Sequence, residues 1–360
     1  MNPESTAILS EAYQRLHRSG PEFGGDESGE NGLTNHGPMA VEVICRRGLE
    51  INVHRWLDRY IRRLTELPAT ADPITGATWR QALGGGPRRI GDWTAYFTQQ
   101  LAEEPWRPVL ATWWPRLLPG IAAGSTHGVI RVSHAVRTLL AAGPTPPAIN
   151  ELGYGLAFWA ARFRVLPAPG TPSGSLPMAT ALAEVPRLPD QSGLIAHRLD
   201  RLARLPGWPA ALRAVRPPGT AADVPARLAD LVDAATTLYL THGAASPVLL
   251  VHTATAPNGV LHTLPALPQE LWAPSFTAAW TAAAALTAAY APAASSGHPR
   301  QQAIGGNDPA NDALARAAQH GDEHVLKFTD TAVDVYQRTG HIGALAAAEH
   351  AARLINTPQQ

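Results

Sequence analysis

The chain holds a single cysteine, Cys45, among its 360 residues. One thiol rules out an internal disulfide and leaves no cysteine cluster for structural zinc or an iron–sulfur centre. Cys45 follows Val43-Ile44 and reads as a small buried residue, not a nucleophile. Charge is also scarce, at 16% of residues, and the 29 basic and 29 acidic side chains cancel. With no basic block or tail, neither nucleic acid nor an anionic membrane surface is an expected partner. The N-terminus has no basic region followed by an apolar run, so no secretion signal is read and the cytoplasm is the expected compartment. Long, strongly apolar runs are missing too. Residues 276–291 are largely uncharged but alanine-rich and carry Thr277, Thr281 and Thr287. That composition predicts a buried helix, because a membrane span wants roughly 20 strongly apolar residues.

Period-two alternation is nearly absent, whereas helical spacing recurs throughout. Leu9, Ala12, Tyr13 and Leu16 follow it after Ser5-Thr6, and so do Trp56, Leu57, Tyr60, Ile61 and Leu64. Asp92 is placed to cap a helix holding Trp93, Tyr96, Phe97 and Leu101. Similar patterns run near 147–163, 222–241, 273–291, 309–338 and 342–354. The reading is an all-α, multihelical fold, a single domain over residues 1–360. The 33 Pro and 31 Gly cluster between helical patterns and predict shaped loops. Stretches 20–32, 166–189 and 294–311 are expected to be mobile.

Familiar cofactor fingerprints are missing. Gly84-Gly85-Gly86-Pro87-Arg88-Arg89 is the sole run of three glycines; it follows no strand and is interrupted by proline, so it reads as a turn and not a dinucleotide site. No phosphate-binding P-loop and no Gly-x-Ser-x-Gly elbow occurs.

Residues 125–137 are the most informative. At about 100° per residue, His127, Arg131 and His134 share a narrow sector of one helical face, flanked by Val129, Val132, Val136 and Leu139. Gly124-Ser125-Thr126 supplies plausible caps. Two imidazoles and a guanidinium on an apolar helix need partners or a ligand. For Arg131 the structural alternative is a buried salt bridge to a distant carboxylate such as Glu42.

Other histidines differ in promise. His17, His54, His197, His298, His341 and His350 lie in polar or terminal settings and are expected to be solvated. His36 follows Thr34-Asn35, either of which could cap a helix begun by Pro38; a histidine facing that helix N-terminus is favoured as the neutral base, and the structural alternative is a hydrogen bond to a loop carbonyl. His252 sits in Leu249-Leu250-Val251-His252-Thr253, as a site residue or a satisfied core histidine, with His242 a weaker candidate for the same wall. His320, His324 and Lys327 repeat the i, i+4, i+7 spacing, and Lys327 needs an anionic partner if buried. His320-Gly321-Asp322-Glu323-His324 fits a His-x-x-Glu-His metal pattern, so iron in a His/carboxylate site is the alternative to acid–base work. Trp106, Trp113, Trp114, Tyr154, Phe158 and Trp159 form stripes that serve either as core or as flat walls for a fused aromatic ligand.

Four passages taken together resemble the questin oxidase-like proteins, which include fungal enzymes that open the ring of an anthraquinone. They are residues 35–42 (Asn-His-Gly-Pro-Met-Ala-Val-Glu), 125–137, 251–257 (Val-His-Thr-Ala-Thr-Ala-Pro) and 321–328 (Gly-Asp-Glu-His-Val-Leu-Lys-Phe), in order along nearly the whole chain. The resemblance implies a Baeyer–Villiger-type monooxygenase of secondary metabolism acting on a polyketide-like quinone or hydroquinone. It points to His36, His127, Arg131, His134, His252, His324 and Lys327 as the catalytic set. O2 is the expected co-substrate, with no tightly bound cofactor and with NADPH serving to reduce the substrate. The rival readings are an iron-dependent aromatic oxygenase and a non-catalytic carrier of aromatic metabolites.

Overall fold

The computed structural model describes residues 1–22, 34–167, 170–294 and 307–357. Of the stretches expected to be mobile, 23–32, 168–169 and 295–306 lie outside the described residues, as does His298.

The chain is all-α and multihelical. Among the described residues its one sheet is a two-stranded antiparallel ribbon, Ser19–Glu22 with Leu64–Glu66. Most helices fall where the spacing puts them: Pro3–Leu16, Val53–Tyr60, Pro146–Ala161, Val224–His242, Trp272–Tyr290 and Ile342–Leu354. Three expectations need correction. The 309–338 pattern is two helices, Pro309–His320 and Glu323–Thr339. Gly321 ends the first in the left-handed region (φ 77°), and the Asp322 carboxylate caps the second. His320 and His324 therefore do not share a helical face. Asp92 is no cap: its helix, Ile90–Glu103, starts ahead of it, and its carboxylate accepts the Ala71 and Asp72 N–H groups at 2.7 and 3.0 Å. Thr126 stands at the N-cap of His127–Ala142, but its hydroxyl donates to Ser125 O at 2.5 Å and leaves the helix N–H groups uncapped.

Residue contacts gather into two compact units, Met1–Val165 with His262–Pro268, and Leu166–Leu261 with Gln269–Gln360. In the first, Pro146–Ala161 packs against Ile90–Glu103, His127–Ala142 and Pro3–Leu16, while Gly37–Arg47 packs on His127–Ala142. Gly128 permits this approach, since a Cβ there would lie 2.6 Å from the Trp159 ring. Trp79, Trp93, Tyr96, Phe97 and Trp113 meet edge to face or stacked, with ring centroids 4.8–5.7 Å apart. Trp114 meets Trp159 edge to face in the same unit, and of the four tryptophans of the sequence stripe Trp106 is half-buried while Trp113, Trp114 and Trp159 are buried. The three buried ones are core.

In the second unit Val224–His242 packs against Met178–Ala183, Trp272–Tyr290, Glu323–Thr339 and Ile342–Leu354. The proline- and glycine-rich residues 170–189 are fastened into this unit: Ser173 and Gly174 donate to Arg213 O, and Met178, Leu182 and Leu188 are buried. Those anchors outweigh the composition that suggests a mobile stretch. Trp272–Tyr290 buries nearly all its length, which explains why residues 276–291 are uncharged. Among the described residues no helix is long and apolar enough to cross a membrane. Cys45 is buried, and burial followed by the nearby Glu42 pushes its thiol up to about 12.

Candidate functional site

Besides Asp92, three buried carboxylates of the first unit gather histidine and arginine side chains around them. Glu22 is the first. The two-stranded ribbon carries it inward, where it is 3% exposed. Its Oε1 lies 2.7 Å from His36 Nδ1 and accepts the Tyr60 hydroxyl at 2.5 Å, while its Oε2 accepts Arg63 Nη2 at 2.9 Å. His36 stands at the N-terminus of Gly37–Arg47, as its place before Pro38 predicts, but with Asn35 Oδ1 accepting the Gly37 N–H. The other ring nitrogen of His36 meets His127: the two Nε2 atoms are 2.8 Å apart, with the rings nearly perpendicular. Beyond that, His127 Nδ1 is 2.6 Å from Gly124 O.

The proton positions follow from the partners. A carbonyl oxygen only accepts, so His127 carries a proton on Nδ1, and its neutral form has the lone pair on Nε2. With one further proton on the pair, His36 Nε2–H donates to that lone pair. Glu22, already accepting from Tyr60 and Arg63, takes a third donor from His36 Nδ1–H. The result is a continuous relay, Glu22–His36–His127–Gly124 O, holding one extra proton on an imidazole pair. The backbone under His127 is strained to make it. Gly124, Ser125 and Thr126 all have positive φ (54°, 56° and 68°), a conformation costing roughly 1–2 kcal/mol for each residue bearing a Cβ. That turn aims the Gly124 carbonyl back at the ring.

Glu151 is the second hub. Arg131 donates to it through Nε (2.6 Å) and Nη2 (2.9 Å), and His17 Nε2 donates at 3.0 Å. Burial alone would lower the guanidinium and raise the carboxyl, but their mutual attraction outweighs it, keeping Arg131 raised and Glu151 lowered. Glu42, the carboxylate offered from sequence for Arg131, is the third hub. It takes His134 Nδ1 at 2.8 Å and Arg137 by two prongs, with Arg46 at 3.2 Å. Burial opposes its ionisation, yet Arg137, His134 and Arg46 hold it at about 2. His134 thus belongs to a structural ion cluster, and His17, expected to be solvated, is a ring stacked on Tyr154 at 4.4 Å and bound to Glu151. His54, His197 and His341 are exposed, as expected, and His350 is half-buried.

The second unit pairs the other histidines. His252 opens the helix His252–Thr263, fully buried, with Nδ1 3.2 Å from Leu249 O. Its ring meets that of His324 edge to face at 5.5 Å. Burial, then the Lys327 cation, then His324 push His252 well below its ordinary value, so it stays neutral. Lys327 is buried one turn along from His324. Asp322 accepts the His324 and Val325 N–H groups and faces His324 Nδ1 at 3.7 Å. Burial raises its carboxyl, but the His324 side chain and those N–H groups prevail and keep it low. His242 bonds the neighbouring Thr241 hydroxyl, and His320 donates to Ile355 O.

Sequence reasoning did not select Glu22, Glu151 or Tyr60. For Glu151 the available signal was a lone acid on a helix otherwise apolar through Leu152, Leu156 and Trp159. The chain matches no protein-family model and no curated protein.

Proposed function

We propose that this chain is an O2-using oxidoreductase that opens a ring of a polycyclic aromatic quinone or hydroquinone. The sequence resemblance supplies the reaction class, and the observation that carries the chemistry is the buried Glu22–His36–His127 relay. Before it holds that extra proton, the imidazole pair presents an Nε2 lone pair that takes a phenolic proton; the pair then spreads the resulting charge over two imidazoles and balances it with Glu22. The reduced, deprotonated substrate is electron-rich and reacts with O2; its own two electrons reduce one oxygen atom to water while the other enters the ring. NADPH, in this reading, regenerates reduced substrate.

A second reading places iron at the histidines, and one observation favours it. His127 holds Nδ1–H on a backbone carbonyl, and His36 holds its own on a carboxylate; histidines that ligate metals are anchored in this way. The 2.8 Å between the Nε2 atoms of His36 and His127 is also near the roughly 3 Å expected of two adjacent ligands on one ion. Iron there would supply the activation of O2, while the chain's own residues would orient the imidazoles and exclude water.

Oxygen uptake with a chemically reduced anthraquinone, followed by 18O2 labelling of the product, tests the function. One labelled atom in an opened ring is the expected result. Binding of the quinone with no oxygen uptake would instead make the chain a carrier. Elemental analysis of the active protein separates the readings: stoichiometric iron whose removal abolishes turnover selects the second.

A further inference from the structure

Asn35 lies beside the relay but outside it. It is 2% exposed. Its Oδ1 accepts the Gly37 N–H at 3.1 Å and faces the Tyr60 hydroxyl at 3.4 Å. The Gly37 N–H fixes the amide orientation, because the NH2 end cannot accept from it; Tyr60 has already given its one proton to Glu22. The Nδ2 donor therefore points the other way, and among the described residues no hydrogen bond engages it. A buried donor left unmade costs about 1–3 kcal/mol, which marks the position as one built for something else.

Asn35 lines a small cavity together with Gly20, Leu67, Arg131, Tyr154 and Phe158. Its volume is about 10 Å³, room for one oxygen-sized atom. Arg131 spends Nε and Nη2 on Glu151, and among the described residues no hydrogen bond engages Nη1. Burial, then Glu151, raises the Tyr154 phenol, so it stays protonated. Ser19 and Thr94 also line the cavity, the Thr94 hydroxyl donating to Ile90 O, and the rest of the lining is Gly20, Pro21, Leu67, Ile90 and Phe158. The polar wall thus offers N–H and O–H donors, while Glu151 cancels the charge of Arg131. Donors without net charge suit a neutral carbonyl oxygen, whose negative charge grows during reaction, better than a fully ionised group.

We infer that the Asn35–Arg131 cavity is a pocket for the oxygen of a ketone or quinone carbonyl. Asn35 Nδ2 and Arg131 Nη1 are its donors, and the cavity admits the oxygen alone. The inference rests on the proposed action on quinones and adds which atoms read the carbonyl.

Equilibrium dialysis of the full chain with fluorenone and with fluorene, its hydrocarbon counterpart, is the test. The wild type should bind the ketone at least tenfold more tightly, the value of one good hydrogen bond. Asn35→Asp keeps the acceptor that Gly37 needs but replaces the donor; it should lose that preference with fluorene binding unchanged. The carbonyl stretch of bound fluorenone should lie lower in the wild type than in the variant. No preference in the wild type, the result expected of a resident water only, overturns the pocket whether or not the variant folds. A preference that survives intact in folded Asn35→Asp overturns the role of Asn35. Absence of oxygen uptake with every reduced quinone would defeat the proposed reaction while leaving the ketone preference standing.

Discussion

Arg131 meets Glu151 through two parallel hydrogen bonds, Nε to Oε1 at 2.6 Å and Nη2 to Oε2 at 2.9 Å, with both side chains buried. The guanidinium that the helical face of 127–134 offers to a ligand is therefore already balanced. Its charge is spoken for, and what it retains is a donor.

Arg131→Met should accordingly lower stability by about 3 kcal/mol, because it strands a buried carboxylate. Arg131→Met combined with Glu151→Leu should recover most of that loss. Urea denaturation midpoints of the two variants and the wild type measure it. Equal destabilisation by the single and double changes would mean the pair is not what Arg131 contributes.

His36 and His127 share one proton path, so their losses should not add. His36→Ala and His127→Ala should each reduce oxygen-dependent turnover on the order of 100-fold or more, and the double variant by little beyond either. Steady-state oxygen uptake checks this. Multiplicative losses would show two independent groups.

His252 predicts an acid-sensitive fold. Its folded value lies well below the ordinary 6.5, so the unfolded chain binds a proton that the folded chain refuses. Its contribution is complete above about pH 6.5 and falls away as pH drops below that. His252→Asn should flatten the thermal stability profile between about pH 6.5 and 5. An unchanged slope would place the protonation elsewhere.

Glu42 acts lower on the scale. Its value falls from 4.5 to about 2 in the folded chain, so its stabilisation is full above 4.5 and is lost as pH falls toward 2. Glu42→Gln should destabilise the protein at pH 7, because Arg137, Arg46 and His134 lose the Glu42 carboxylate, and should make the dependence between pH 4.5 and 2 shallower by its share. Melting temperatures across that range decide it.

Helices were legible wherever apolar spacing ran without interruption. Ile342–Leu354 coincides with its pattern, and Trp272–Tyr290 nearly so. Misplaced features involve competition for one side chain: Asp92 serves a distant loop instead of its own helix, and Thr126 bonds its neighbour's carbonyl. The break at Gly321-Asp322 carries its own punctuation, a left-handed glycine followed by a capping acid, within a spacing that runs through it.

The sequence by itself determined the all-α class, the buried character of residues 276–291, the place of His36 before a helix begun by Pro38 and the place of His127 on a helix with Arg131. Those are local properties, set by periodicity of 3.6 residues and by composition. Only the tertiary structure decided that Glu22 backs His36, that Glu151 and not Glu42 answers Arg131, that His134 joins an ion cluster, and that Asn35 keeps an unmet donor. These pairings join residues as much as 134 positions apart, as His17 and Glu151 are. Spacing along one helix fixes which face a charge occupies, but the carboxylate that meets it is chosen by which helices pack together.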